Sequence, residues 1–242
     1  MLVRGFPAQA FGTNCYVLAP GPGEQCIVVD PGIGVQAQLE ALLAEHHLQA
    51  VAVLLTHGHL DHTFSVTPVC GARGIAAYIH PADRDQLADP MKYLSQGSSQ
   101  LFGGRLEWTE PDDVRLLDPA QPLELAGLRI GIALAPGHTP GSVVYRLPGD
   151  AADGDASAPL LLSGDVLFAG SIGRTDLPGS SWESMQHSLA TVVLTMADQT
   201  VVLPGHGPAT TIGRERTANP FLQDLLSIPP AGTAVATPAR GR

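Results

Sequence analysis

The chain has 242 residues, 44% of them apolar and 15% charged, with 13 Lys and Arg against 23 Asp and Glu for a formal net charge of −10. That length can bury a substantial core. An acidic balance without a basic stripe argues against nucleic acid and anionic membrane surfaces as partners.

The N-terminal residues MLVRGFPAQAF lack an uninterrupted apolar stretch behind a basic start, and no run reaches the length of a membrane span, so a cytoplasmic location is expected. Strands are expected over 14–19 and 26–30. The second ends in Val-Val-Asp-Pro-Gly, which leaves Asp30 at a strand-to-turn junction. A helix is expected over 35–46, then a strand over 51–56 that runs directly into Thr56-His57-Gly58-His59-Leu60-Asp61-His62. Three imidazoles and one carboxylate in so short a span form a donor set suited to borderline divalent metals such as zinc, with iron or manganese as alternatives. His57 and His59 share a side of an extended segment and can grip one ion. Asp61 and His62 fall where the chain turns into a helix expected over 61–72, which aims them at a neighbouring position.

A strand over 75–79 and a helix over 82–89 come next. Residues 90–111 mix aromatics with glycine and serine without a period, and read either as a cover over the site or as a surface excursion. Strands over 122–125 and 128–134 lead to His138 in Ala-Pro-Gly-His-Thr-Pro-Gly-Ser, and a strand over 142–147 follows. Residues 149–158, with three Asp, read as a hairpin tip. The strand over 159–163 leads to Asp165, and a helix over 181–196 and a strand over 200–203 lead to His206. His138, Asp165 and His206 each follow a strand beside a glycine, which lets the backbone bend toward a shared cluster. His46, His47, His80 and His187 lack such a context. A helix over 213–226 precedes a tail, 228–242, with too little to bury, expected to be disordered. Cys15, Cys26 and Cys70 are an odd count without CxxC spacing and read as buried thiols. The order, strands then helices, twice, suggests two αβ halves packed sheet to sheet.

THGHLDH (56–62), PGHTPGS (136–142), SGDVLFAGSIGRTD (163–176) and LPGHG (203–207), in that order, resemble the metallo-β-lactamase superfamily and, in wording, its glyoxalase II-like (hydroxyacylglutathione hydrolase-like) branch. The resemblance spans roughly residues 10–225. It implies an α/β fold, an αββα sandwich with a metal site at one edge of two packed mixed sheets, occupying 1–227 as a single domain. It further implies that His57, His59 and His138 hold a first metal, that Asp61, His62 and His206 hold a second, and that Asp165 bridges both. Asp61 and Asp165 would be the catalytic carboxylates. A water shared by the two ions should be a hydroxide at neutral pH, able to attack a carbonyl carbon. The same resemblance implies that Asp30 orients a ligand; the other reading is a plain turn-forming Asp before Pro31. Thr56, Thr139 and Ser163 lie beside ligands and either hydrogen-bond them or cap turns. Arg174 and Asp176 form an ion pair, or Arg174 meets a substrate carboxylate.

Within the superfamily, exported class B β-lactamases fit poorly, because many carry cysteine where this chain has Asp165 and no export signal is evident. Flavodiiron reductases place Glu where His59 stands, and the RNA-cleaving branch needs an inserted domain between the regions of His138 and His206. The expected activity is therefore hydrolysis of a thioester, such as S-lactoylglutathione or another small acyl-thiol conjugate, with two divalent metal ions. The alternative implied by Gly173-Arg174-Thr175-Asp176 is persulfide dioxygenase chemistry at a single iron. A scaffold that keeps the fold without turnover would have lost ligands, and all seven are present.

Overall fold

Residues 1–94, 108–149 and 158–227 are described by a computed structural model of the chain. Val-, Ile- and Leu-rich segments build one six-stranded sheet from β1 (Leu2–Pro7), β2 (Asn14–Ala19), β3 (Gln25–Val29), β4 (Gln49–Leu54), β5 (Ala76–Ile79) and β6 (Val114–Leu116), in that spatial order. β1 to β3 pair antiparallel, and β3 to β6 pair parallel. Parallel neighbours require crossovers. Helix α1 (Gln36–Glu45) lies on the first, while the short α2 (Leu60–Thr63) and α3 (Val66–Gly71) lie on the second. Helix α4 (Arg84–Ala88) follows β5 through a 3-10 turn, Pro81–Asp83.

The second sheet also has six strands. β7 (Leu123–Leu125), β8 (Leu128–Leu134), β9 (Val143–Leu147) and β10 (Leu160–Gly164) run antiparallel in succession. A ribbon of β11 (Leu167–Phe168) and β12 (Ser171–Ile172) and helix α5 (Trp182–Ser188) precede β13 (Val201–Pro204), which pairs parallel with β10. β14 (Thr210–Thr211) closes the edge, and α6 (Ile212–Ala218) and α7 (Pro220–Ser227) complete the described chain.

Period-two alternation sorts the side chains into layers. In β3, Cys26 and Val28 pack with Leu39 and Leu43 of α1 and with Val66 and Val69 of α3, whereas Ile27 and Val29 face Ile130, Tyr145 and Leu162 of the other sheet. On the far side, Val144, Leu161 and Val202 pack against Met185, Leu189, Ile212 and Leu222. The result is the expected αββα sandwich. The fully buried Ile27 illustrates its sensitivity: truncation to alanine at such a position costs roughly 2–5 kcal/mol.

Several boundaries differ from the expectations. The helix expected over 61–72 breaks at Phe64–Ser65, because Ser65 turns away to donate from N to the Pro31 carbonyl and from Oγ to the Gly32 carbonyl. The helix over 181–196 ends its regular part at Ser188 and continues as a π-turn, Leu189–Val193. The helix over 213–226 divides at Asn219, since Pro220 has no N–H to continue the ladder, and Asn219 Oδ1 accepts from Phe221 N instead. β1, β6 and the short strands at 167–168, 171–172 and 210–211 carry too little periodic signal to be read in the sequence. Of the 90–111 segment, Pro90–Tyr93 forms a 3-10 turn, while 95–107 lies outside the described residues. The 149–158 tip and the 228–242 tail fall largely or wholly outside them. Among the described residues, no helix is long and apolar enough to cross a membrane.

Two buried tyrosines join the sheets at one edge. Tyr145 Oη donates to the Leu55 carbonyl at 2.7 Å, and Tyr16 Oη donates to the Pro204 carbonyl at 2.8 Å. Leu55 immediately precedes the Thr56–His62 segment, and Pro204 precedes His206. The fold thereby fixes two of the histidine-bearing loops side by side.

Candidate metal centre

The loops that follow β4, β8, β10 and β13 bring all seven sequence-derived ligand candidates to this edge. Ligand atoms of His57, His59 and His138 lie within 4.8 Å of one another, as do those of Asp61, His62 and His206, and those of His57, His62 and Asp165. In the first group His59 Nδ1 stands 2.8 Å from His138 Nε2. In the second, His206 Nε2 is 3.2 Å from Asp61 Oδ2 and 3.3 Å from His62 Nε2. Asp165 lies between them, its Oδ1 3.3 Å from His62 Nε2 and its Oδ2 3.4 Å from His138 Nε2 and 3.6 Å from His206 Nε2. The three groups overlap, His57 and His62 each belonging to two of them, so the seven side chains form one continuous cluster.

Surrounding groups decide which nitrogen of each imidazole faces the cluster. Asp30 Oδ2 lies 3.0 Å from His62 Nδ1, which leaves Nε2 free to face Asp165. Thr56 donates from N and Oγ1 to the same buried carboxylate, and Thr56 Oγ1 in turn accepts from His57 Nδ1 at 3.0 Å. The carbonyl of Arg174 accepts from His138 Nδ1 at 2.8 Å. Partners of this kind fix the tautomer and ring orientation of metal-binding histidines. Thr13 Oγ1 donates to Asp61 Oδ2 at 2.9 Å, and Thr13 also pairs through its backbone with His206.

The cluster's electrostatics fit a cation. His57 Nε2 and Asp165 Oδ1 are buried without a hydrogen-bond partner, and orphaned buried acceptors are costly. Burial first, then the neighbouring imidazoles, hold His57 well below the usual histidine range and pull His59 down to about 3, so both offer lone pairs. Burial pushes the Asp61 and Asp165 carboxyls up, but the adjoining histidines outweigh it and keep both ionised. Burial likewise opposes a charge on His62, yet Asp165 and Asp61 draw a proton onto it. A divalent ion at the same point would replace that proton, as metal binding does at imidazole ligands. Nitrogen and oxygen donors in two such groups fit two borderline divalent ions.

The softer expectations divide. Asp30 and Thr56 touch ligands. Thr139 Oγ1 instead donates to Asp83 at 2.6 Å, and Ser163 Oγ donates to the Leu167 carbonyl. The Arg174 and Asp176 side chains form an exposed, two-pronged ion pair, so Arg174 touches His138 through its main chain only. An exposed pair of this kind contributes little to stability. Sequence reasoning missed Thr13 and Asp83. Each lies on a different element from the ligands it serves, and neither belongs to a local motif.

Above the cluster opens a cleft of about 280 Å³ whose apolar wall includes Phe11, Ile33, Tyr93, Leu94 and Leu177. Phe11 is 56% exposed and takes a left-handed backbone conformation, φ 61°. Such a conformation is uncommon outside glycine. It sits at the tip of the loop whose base Thr13 ties to Asp61.

Known proteins resemble this chain over most of its length. A family model described as "Metallo-beta-lactamase superfamily" matches residues 8–206. The hydroxyacylglutathione hydrolase GloC of Haemophilus influenzae is 31% identical over 226 residues, covering 92% of this chain and 98% of that protein. Among solved structures, the BLEG-1 B3 metallo-beta-lactamase is 36% identical with a TM-score of 0.78, covering 91% of this chain and 99% of that one. TTHA1623, solved in a di-iron-bound form, is 32% identical with a TM-score of 0.70, covering 90% of this chain and 100% of that one.

Proposed function

The chain belongs to the metallo-β-lactamase superfamily, and on that premise we propose that it is a metal-dependent thioester hydrolase acting on S-lactoylglutathione or another small acyl-thiol conjugate. His57, His59 and His138 would hold one divalent ion, Asp61, His62 and His206 a second, and Asp165 would reach both. Zinc is the first choice, with iron or manganese as alternatives, iron being the metal found in TTHA1623. Two such ions, when bound, supply Lewis acidity toward a carbonyl oxygen and lower the pKa of water toward neutrality.

The protein's own contribution is placement. Asp30, Thr56 and the Arg174 carbonyl hold three imidazoles with their remaining nitrogens toward the cluster. Phe11, Leu94 and Leu177 give the substrate an apolar wall and reduce its contact with water. No side-chain nucleophile is needed. The three cysteines are buried, and burial raises the thiol pKa of each, to about 12 for Cys26 and Cys70.

Similarity to the hydroxyacylglutathione hydrolase GloC is the observation that carries the thioester assignment, and a leaving-group argument agrees with it. Among the described residues lining the cleft, the titratable groups outside the cluster are Tyr93 and Arg174. Both hold their protons more tightly than usual, Tyr93 through its hydrogen bond to Asp85 and Arg174 through Asp176. Neither readily gives a proton to a leaving group. A thiol, with an ordinary pKa of about 8.5, departs as its anion without that help. Similarity to GloC over nearly the whole of both chains supports the same substrate class. Persulfide dioxygenase chemistry at a single iron is the second reading, favoured by Gly173–Asp176. Turnover of a panel of acyl thioesters, a β-lactam and glutathione persulfide tests the proposal: thioester cleavage supports it, and turnover of the β-lactam or the persulfide alone overturns it.

A further inference from the structure

Asp83 is fully buried at the start of α4, and its carboxylate joins the two loops that carry the three-histidine group. Oδ2 accepts from Gly58 N at 2.9 Å and from Thr139 Oγ1 at 2.6 Å, while Oδ1 accepts from Gly141 N at 2.7 Å. Gln86 Nε2 adds a longer contact at 3.4 Å. Gly58 stands between His57 and His59, and Thr139 and Gly141 follow His138.

An Asp at a helix start ordinarily caps its own helix. Asp83 makes no such bond, and its three close hydrogen bonds all go to the ligand loops. The loops are also shaped around it. A Cβ at Gly141 would lie 2.6 Å from Asp83 Cγ and Oδ1, and one at Gly58 would lie 2.6 Å from Gln86 Cβ and 3.0 Å from the Asp83 carbonyl oxygen. Burying a carboxylate is costly unless it is hydrogen-bonded, and here both loops supply the donors.

We propose that Asp83 is a positioning residue that fixes the separation of His59 from His138, and with it the metal affinity of the three-histidine half of the site. The assignment rests on the two-ion reading given above. Its test is a cobalt(II) titration of the metal-free protein, followed by visible absorption and by competition with a chelator, with the two steps assigned by means of a His206→Ala variant. Asp83→Asn places an amide N–H₂ among N–H donors. It is expected to weaken the three-histidine step by about tenfold or more, the range seen for outer partners of metal ligands, and to leave the step at Asp61, His62 and His206 unchanged. Thr139→Val, which removes the 2.6 Å donor while keeping the side chain's shape, should weaken the same step by a smaller factor. Equal weakening of both steps, or a lower melting temperature of the metal-free protein with affinities unchanged, overturns the proposal. If Asp83→Asn does not fold, Thr139→Val decides by the same criterion. Uptake of a single ion by the wild-type protein counts against the two-ion reading itself, while the ratio of variant to wild type at the three-histidine step still decides the role of Asp83.

Discussion

Asp30 and His62 meet at 3.0 Å between carboxylate and Nδ1, with both side chains buried, and this contact aims His62 Nε2 at Asp165. Asp30→Asn tests it with little backbone disturbance, since φ at Asp30 is 48° and Asn tolerates that region. An amide N–H facing Nδ1 would favour the tautomer that carries its proton on Nε2, which cannot bind a metal. Metal affinity in a chelator competition is expected to fall about 10–100-fold. Affinity equal to wild type would show that the contact is incidental.

Asp165 lies 3.3 Å from His62, 3.4 Å from His138 and 3.6 Å from His206, and in the proposed two-ion site it would be shared. Asp165→Ala should reduce kcat/KM by more than about 100-fold, beyond what outer partners of ligands cost, and lower the metal content below two per chain. Wild-type turnover in this variant would rule out a shared carboxylate.

How far these roles could be read in advance depended on distance along the chain. The convergence of the seven candidates was legible because each follows an apolar strand and keeps a short local signature, as His138 does in Pro-Gly-His-Thr-Pro-Gly. Asp30 was legible through its place at a strand end. Asp83 and Thr13 were not, because their partners are distant in sequence: Asp83 Oδ2 meets Thr139 and Thr13 Oγ1 meets Asp61 only after the sheets assemble. In the sequence, Asp83 is one more acidic residue at a helix start. The sandwich itself was legible from alternation, whereas the break at Ser65 was not, since it answers to carbonyls of Pro31 and Gly32 that the local pattern does not contain.

Phe11 offers an apolar ring on the cleft wall and touches no ligand group in the hydrogen-bond network. Interactions of this kind bind substrate and transition state alike. Phe11→Ala should therefore raise KM several-fold, with kcat and metal content close to wild type. A fall in kcat with KM unchanged would place Phe11 in the chemical step instead.

Cys15, Cys26 and Cys70 are all buried, and burial pushes their thiols up, so the thiolate that reacts with disulfide reagents is scarce at pH 8. The folded protein should label negligibly over minutes and the denatured protein at all three positions. Rapid labelling of the folded protein would mean that one thiol is accessible and would reopen covalent catalysis.

Thioester hydrolysis at a two-ion site can be separated from dioxygenase chemistry by following thiol release and oxygen uptake together while metal-loaded protein acts on S-lactoylglutathione and, separately, on glutathione persulfide. Thiol release should match thioester loss, with no oxygen uptake from either substrate and loss of the activity on chelation. Oxygen consumption with the persulfide and no thiol release from the thioester would contradict thioester hydrolysis.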